Sequence, residues 1–183
     1  MGKSAMSKMK QYLAKLDALS PDQTMLKSSR VLLFLSGSSH LESACLTAGQ
    51  LKFLEQICPS GFSVVASNFP FNQRFEHEQQ TQVSLLTASI SNIRYYWDTL
   101  CNLRFQEALQ RHLSPLLDAE EAVIICKSSG LNILTQWLED LGEENLPYRL
   151  RVIALGPVSR RVLNHKDIDL LVIKGRKDIY SRF

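Results

Sequence analysis

The chain has 183 residues, 45% of them hydrophobic, enough to bury one substantial core and too few for two ordinary domains with a linker. Its 21 basic and 18 acidic residues leave a net charge of +3 spread along the sequence, so nucleic acid is not an expected partner. The strongly apolar runs are only about strand length, which argues against a membrane span and a signal peptide.

A single domain over residues 1–183 is expected, opened by an amphipathic helix within residues 1–20. Met6, Met9, Leu13, Leu16 and Leu19 recur there at helical spacing, with Lys8, Lys10 and Lys15 between them. Such a helix packs on the body of a domain or lies on an anionic membrane surface. Met1-Gly2-Lys3 begins like an acylation signal, but Met6 stands where that signal needs Ser or Thr. Ser20-Pro21-Asp22 reads as a turn. Cysteines 45, 58, 101 and 126 lie far apart inside apolar runs without a CxxC pair, a pattern of reduced, packed thiols that points to a cytoplasmic location.

Five short apolar or β-branched runs follow, at 31–35, 62–66, 122–126, 151–155 and 169–174. Continuous apolarity predicts strands covered on both faces. Helical patterns at 46–57, 80–117 and 131–141 separate the first four, and the last connection, 156–168, has room for about two helical turns. Alternating strands and helices predict an α/β fold, a three-layer α/β/α sandwich with a five-stranded, mainly parallel sheet in the order 2-1-3-4-5. The stretch 68–118 is long for one crossover and reads as a helical, lid-like insertion, containing two helices or a helix preceded by an ordered loop. Its Tyr95-Tyr96-Trp97 cluster fits either a pocket lining or core packing.

The most informative run is 122–141, AVIICKSSGLNILTQWLEDL, in which a buried strand passes through Cys-Lys-Ser-Ser-Gly directly into an amphipathic helix. In a nucleophile elbow, G-x-S-x-G, the serine is held in a strained turn, and the residues two before and two after it must be small. Cys126 and Gly130 meet that demand around Ser128. Ser-Ser-Gly after a strand is also a good helix start, with hydroxyls capping free N–H groups.

Further segments carry a resemblance in the same order. The run 31–38, VLLFLSGS, is similar to the strand and turn that help form an oxyanion hole. The run 148–157, YRLRVIALGP, is similar to the strand after the nucleophile helix. The run 169–178, DLLVIKGRKD, is similar to the strand whose Gly-x-x-Asp turn delivers an acid. Over roughly residues 30–180 the chain thus resembles the α/β-hydrolase superfamily.

The resemblance implies Ser128 as nucleophile, Asp178 as acid, and oxyanion donors from Ser129 and the Gly37-Ser38 turn, with Asn68 near the same strand ends. Each such donor is worth about 3 kcal/mol in the transition state. In the family the base histidine follows the acid, whereas here no histidine follows Asp178 before Phe183. Among the four histidines His40, after the oxyanion turn, is the substitute base in reach; its other reading is a solvated loop residue. His165 should lie at the opposite end of the sheet from Ser128. His77 and His112 read as surface residues, and no histidine has metal-ligand spacing. Neither a metal nor a cofactor is implied.

Three functions remain open. The first is a serine hydrolase or acyl transferase acting on a small-molecule ester, thioester or amide through Ser128, its triad incomplete at the base. The second is a non-catalytic hydrolase-like binding or interaction protein. The third is a flavodoxin-like phosphate or phosphosugar domain, in which Gly37-Ser38-Ser39 and Ser128-Ser129-Gly130 cradle phosphate at helix N-termini. An open edge beside the last strand favours a homodimer.

Overall fold

The structure is a computed structural model and describes residues 8–24, 27–36, 46, 48–69, 85–142, 146, 148–160 and 163–176. Strands Arg30–Ser36 (β1), Ser63–Phe69 (β2), Glu121–Lys127 (β3), Leu150–Leu155 (β4) and Ile168–Ile173 (β5) form one all-parallel sheet in the order β2-β1-β3-β4-β5. Both the succession and the order match the sequence expectation. The reason lies in the apolar runs: β1 and β3 each bury five consecutive residues, which only strands covered on both faces do. Such strands belong at the centre, and β5, half-buried on alternate residues, takes an edge.

Helices cover the two faces unequally. Lys8–Asp17 (α1), Leu103–Leu113 (α5) and Gly130–Leu141 (α6) pack on the face formed by Val31, Leu33, Leu35, Ile124, Val152 and Ala154. Ala48–Ile57 (α3) supplies Leu54 to the opposite face, against Leu32, Phe34, Val123 and Ile125. The predicted turn at 20–22 is instead the start of a one-turn helix, Pro21–Thr24 (α2); proline is at home there because the first helical N–H needs no partner. No helix among the described residues is long and apolar enough to cross a membrane.

The stretch 68–118 contains Leu85–Cys101 (α4), α5 and the 3-10 turn Ser114–Asp118. Its α5 part belongs to the core layer, with Phe105, Ala108, Leu109 and Leu113 buried at helical spacing. The aromatic cluster divides. Tyr95 is buried edge-on to Phe105, ring centroids 5.5 Å apart, whereas Trp97 is 58% exposed. Of the cysteines expected to be packed, Cys126 is buried, but Cys58 is only partly covered and Cys101 is exposed at the last residue of α4; Cys45 lies outside the described residues. Apolar neighbours in sequence do not bury a residue that a helix turns outward.

Met9, Tyr12, Leu13 and Leu16 form the buried stripe of α1, each large side chain contributing about 2 kcal/mol by leaving water. Asp17 pairs with Arg104 at 2.6 Å and Arg111 at 3.3 Å, but these groups are 42–61% exposed, so the pairs orient the helix while burial holds it.

His112 corrects the expectation of a surface residue: it is fully buried. Its Nε2 lies 3.0 Å from the Leu16 carbonyl, to which Arg111 also donates at 2.8 Å. The Leu16 carbonyl lies in the last turn of α1, where it accepts from the Leu19 N–H at 3.1 Å, and the two groups from the end of α5 add to that bond. Burial, then the neighbouring Arg111 charge, lowers the His112 pKa from its ordinary 6.5, against the Leu16 hydrogen bond and Asp17. Below that value the unfolded chain takes up a proton that the folded chain resists, so this contribution is complete above about pH 6.5 and is lost as pH falls toward the lowered folded-state value. Wild-type Tm is therefore expected to drop more steeply than that of His112→Gln between about pH 7.5 and about pH 5. Parallel curves would refute this account of His112.

Candidate functional site

The site is built where β3 turns into α6. Ser128 is the one non-glycine residue with positive φ among the described residues, at 53°. A side chain there costs on the order of 1–2 kcal/mol, so the surroundings must impose the conformation. They do so from both sides. The Ser128 N–H donates to the Leu155 carbonyl at 3.3 Å, and the Ser128 carbonyl accepts from the Val158 N–H at 2.9 Å, tying the turn to the end of β4. On the other side Gly130 lies against β1: a Cβ there would meet the Leu35 carbonyl oxygen, with the carbonyl carbon at 2.6 Å and the Ser36 nitrogen at 3.1 Å. Cys126, two residues before the serine, is fully buried. At Gly130 a small residue is thus required, and the crowding there comes from the β1 backbone.

Leu155 and Val158 carry no motif, and the sequence reading missed them as anchors. The one available signal was the LGP run: Gly156 adopts φ 50°, and its N–H donates to the Ile173 carbonyl at 2.8 Å, lacing the ends of β3, β4 and β5 together.

Ser128 is half-buried at the C-terminal end of the sheet, with Ser129 as the residue before α6. Ser129 is 4% exposed and its Oγ has no hydrogen-bond partner among the described residues. Its backbone N–H, the donor assigned to an oxyanion by the resemblance, likewise makes no hydrogen bond among them. The hydroxyl-capping alternative has no support at Ser129, whose side chain makes no cap.

β1 ends at Ser36, the register partner of Lys127, so the chain leaves β1 beside the elbow. Gly37, Ser38, Ser39 and His40 follow and lie outside the described residues, as do His77 and Asp178. Asn68 is the next-to-last residue of β2 and pairs in register with Phe34, which in turn pairs with Ile125. It therefore sits two strands from β3 and below the level of the elbow.

The two described histidines are elsewhere. His165 accepts a hydrogen bond from the Asp167 N–H at 3.2 Å, just before β5, at the opposite end of the sheet as expected. His112 is held in the α1–α5 contact. Burial pushes the Cys126 thiol pKa well up, which keeps it protonated and unreactive. Lys127 is exposed at the end of β3.

Neither a protein-family model nor a curated protein matches the chain. Among solved structures it is similar to one named "m3DLH", at TM-score 0.50 and 10% identity. The likeness covers 85% of this chain, which spans 61% of the length of that one. It bears on the fold alone, and agrees with the five-stranded parallel α/β sandwich described above.

Proposed function

We propose that the chain is an α/β-hydrolase-like protein in which Ser128 attacks the acyl carbon of a small ester, thioester or amide. The observation that carries this reading is the positive φ of Ser128 between a buried strand and a helix, maintained by Leu155, Val158 and the close approach of Gly130 to β1. Strain of this kind is worth maintaining where a side chain must be presented to a ligand. In the proposed step the Ser128 oxygen bonds to the acyl carbon while its proton passes to an imidazole, and the leaving group departs with that proton. The N–H of Ser129, which makes no hydrogen bond among the described residues, supports an oxyanion donor. His40 is the sequence's candidate for the imidazole and Asp178 for the acid.

The placement of His112 and His165 favours a second reading, a hydrolase-like binding protein without turnover, because neither described imidazole lies at the elbow. A serine-directed fluorophosphonate decides between them. Acyl chemistry predicts covalent labelling of the wild type at Ser128, lost in Ser128→Ala without a fall in Tm. Failure of the folded wild type to label would reject the catalytic reading in favour of the second.

A further inference from the structure

The two edges of the sheet differ. Against β1, β2 slips in register between Leu32 and Phe34, an irregularity of the kind that turns an edge away from new partners. β5 runs flush with β4 over all six paired residues. It is the terminal strand among the described residues. The Leu150 N–H donates to the Asp167 carbonyl and the Gly156 N–H to the Ile173 carbonyl, so the odd-numbered residues of β5 turn their backbone groups toward β4. Backbone direction alternates along a strand, which points the N–H and C=O of Leu170 and Val172 outward.

Among the described residues the adjoining sheet face is also uncovered by any helix at this end. Leu171 and Ile173 pair in register with Ile153 and Leu155, which pack against the Leu32, Phe34, Val123 and Ile125 cluster. α3 lies toward β2 on that face, and at the β5 end Leu171 is 55% and Ile173 48% exposed.

We propose that β5 is a self-association edge whose occupant is β5 of a second copy of this chain, joined antiparallel about a twofold axis into one ten-stranded sheet. Self-complementarity selects this occupant. The entering end of β5 carries Lys166, Asp167 and Asp169, net −1 from one lysine and two aspartates, and the leaving end carries Lys174 and Arg176, net +2. An antiparallel twofold sets each acidic end beside a basic one. The axis runs perpendicular to the sheet and preserves its faces, so only residues of equal parity can stand opposite each other. The register that pairs Leu171 with Ile173 of the second copy sets Val172 opposite itself in a hydrogen-bonded pair. It also joins the four exposed apolar side chains into one stripe, with Asp169 outside it. The association is independent of the chemistry at Ser128.

Sedimentation velocity from micromolar to sub-millimolar protein is expected to show a reversible monomer–dimer equilibrium. Leu171→Lys should weaken it at least tenfold with Tm unchanged, since that side chain is largely exposed. Cysteine cross-linking tests the register, because residues facing each other across a non-hydrogen-bonded antiparallel pair are about 4.5 Å apart at Cα, within disulfide reach. In a Cys101→Ser background, which itself must give no cross-linked dimer, oxidising a mixture of Leu171→Cys and Ile173→Cys proteins should give one, whereas either alone should give little. A wild type that stays monomeric throughout, a Leu171→Lys protein that still dimerises normally, or efficient cross-linking of Leu171→Cys with itself would overturn the proposal.

Discussion

Gly130→Ala is expected to destabilise the protein by about 3 kcal/mol or more, lowering Tm by roughly 6–12 °C for a domain of this size. Two effects oppose each other. Gly130 is the first residue of α6, where alanine gains up to about 1 kcal/mol in helix propensity. Against that, the new methyl would overlap the carbonyl group of Leu35 and crowd the nitrogen of Ser36 at 3.1 Å. These are backbone atoms of a central strand paired on both sides, so no rotamer change relieves the overlap and either β1 or α6 must shift. Overpacking therefore exceeds propensity. Because the same contact holds the elbow against β1, fluorophosphonate labelling at Ser128 should fall together with Tm. Thermal denaturation with a Tm within about 1 °C of wild type would mean that the helix start does not press on β1 as described.

Trp137→Ala should be comparably severe, costing about 3–5 kcal/mol, a large share of the total stability of an ordinary domain. Trp137 is fully buried in α6, inside the principal core cluster with Leu109, Leu131, Ile133 and Leu134. Its indole N–H has no hydrogen-bond partner among the described residues, so Trp137→Phe removes area without breaking a bond and should cost much less. Urea denaturation of the two variants separates the terms. Equal losses would refute the attribution of the cost to buried ring area. α6 carries the elbow at its N-terminus, so a cavity beneath Trp137 should also loosen Ser128 and slow any acylation there.

The succession of strands, their all-parallel arrangement and the order β2-β1-β3-β4-β5 were legible in the sequence, because runs of consecutive buried residues and intervening helical periods are local signals. The sharp strand-to-helix turn at Ser128 was legible for a similar reason: a buried strand running through Ser-Ser-Gly directly into a helix leaves few other conformations. Tertiary structure alone decided what lies against those residues. The carbonyl that excludes a side chain at position 130 belongs to Leu35, and the bonds that hold Ser128 at φ 53° come from the end of β4. His112 reads as a polar helix end until the Leu16 carbonyl, 96 residues earlier, is brought against it. Trp97 and Cys101, set among apolar neighbours, are exposed because α4 turns those positions outward. Periodicity records which way a residue faces on its own element, whereas burial, strain and pairing depend on which distant segment arrives opposite, and that is settled by packing.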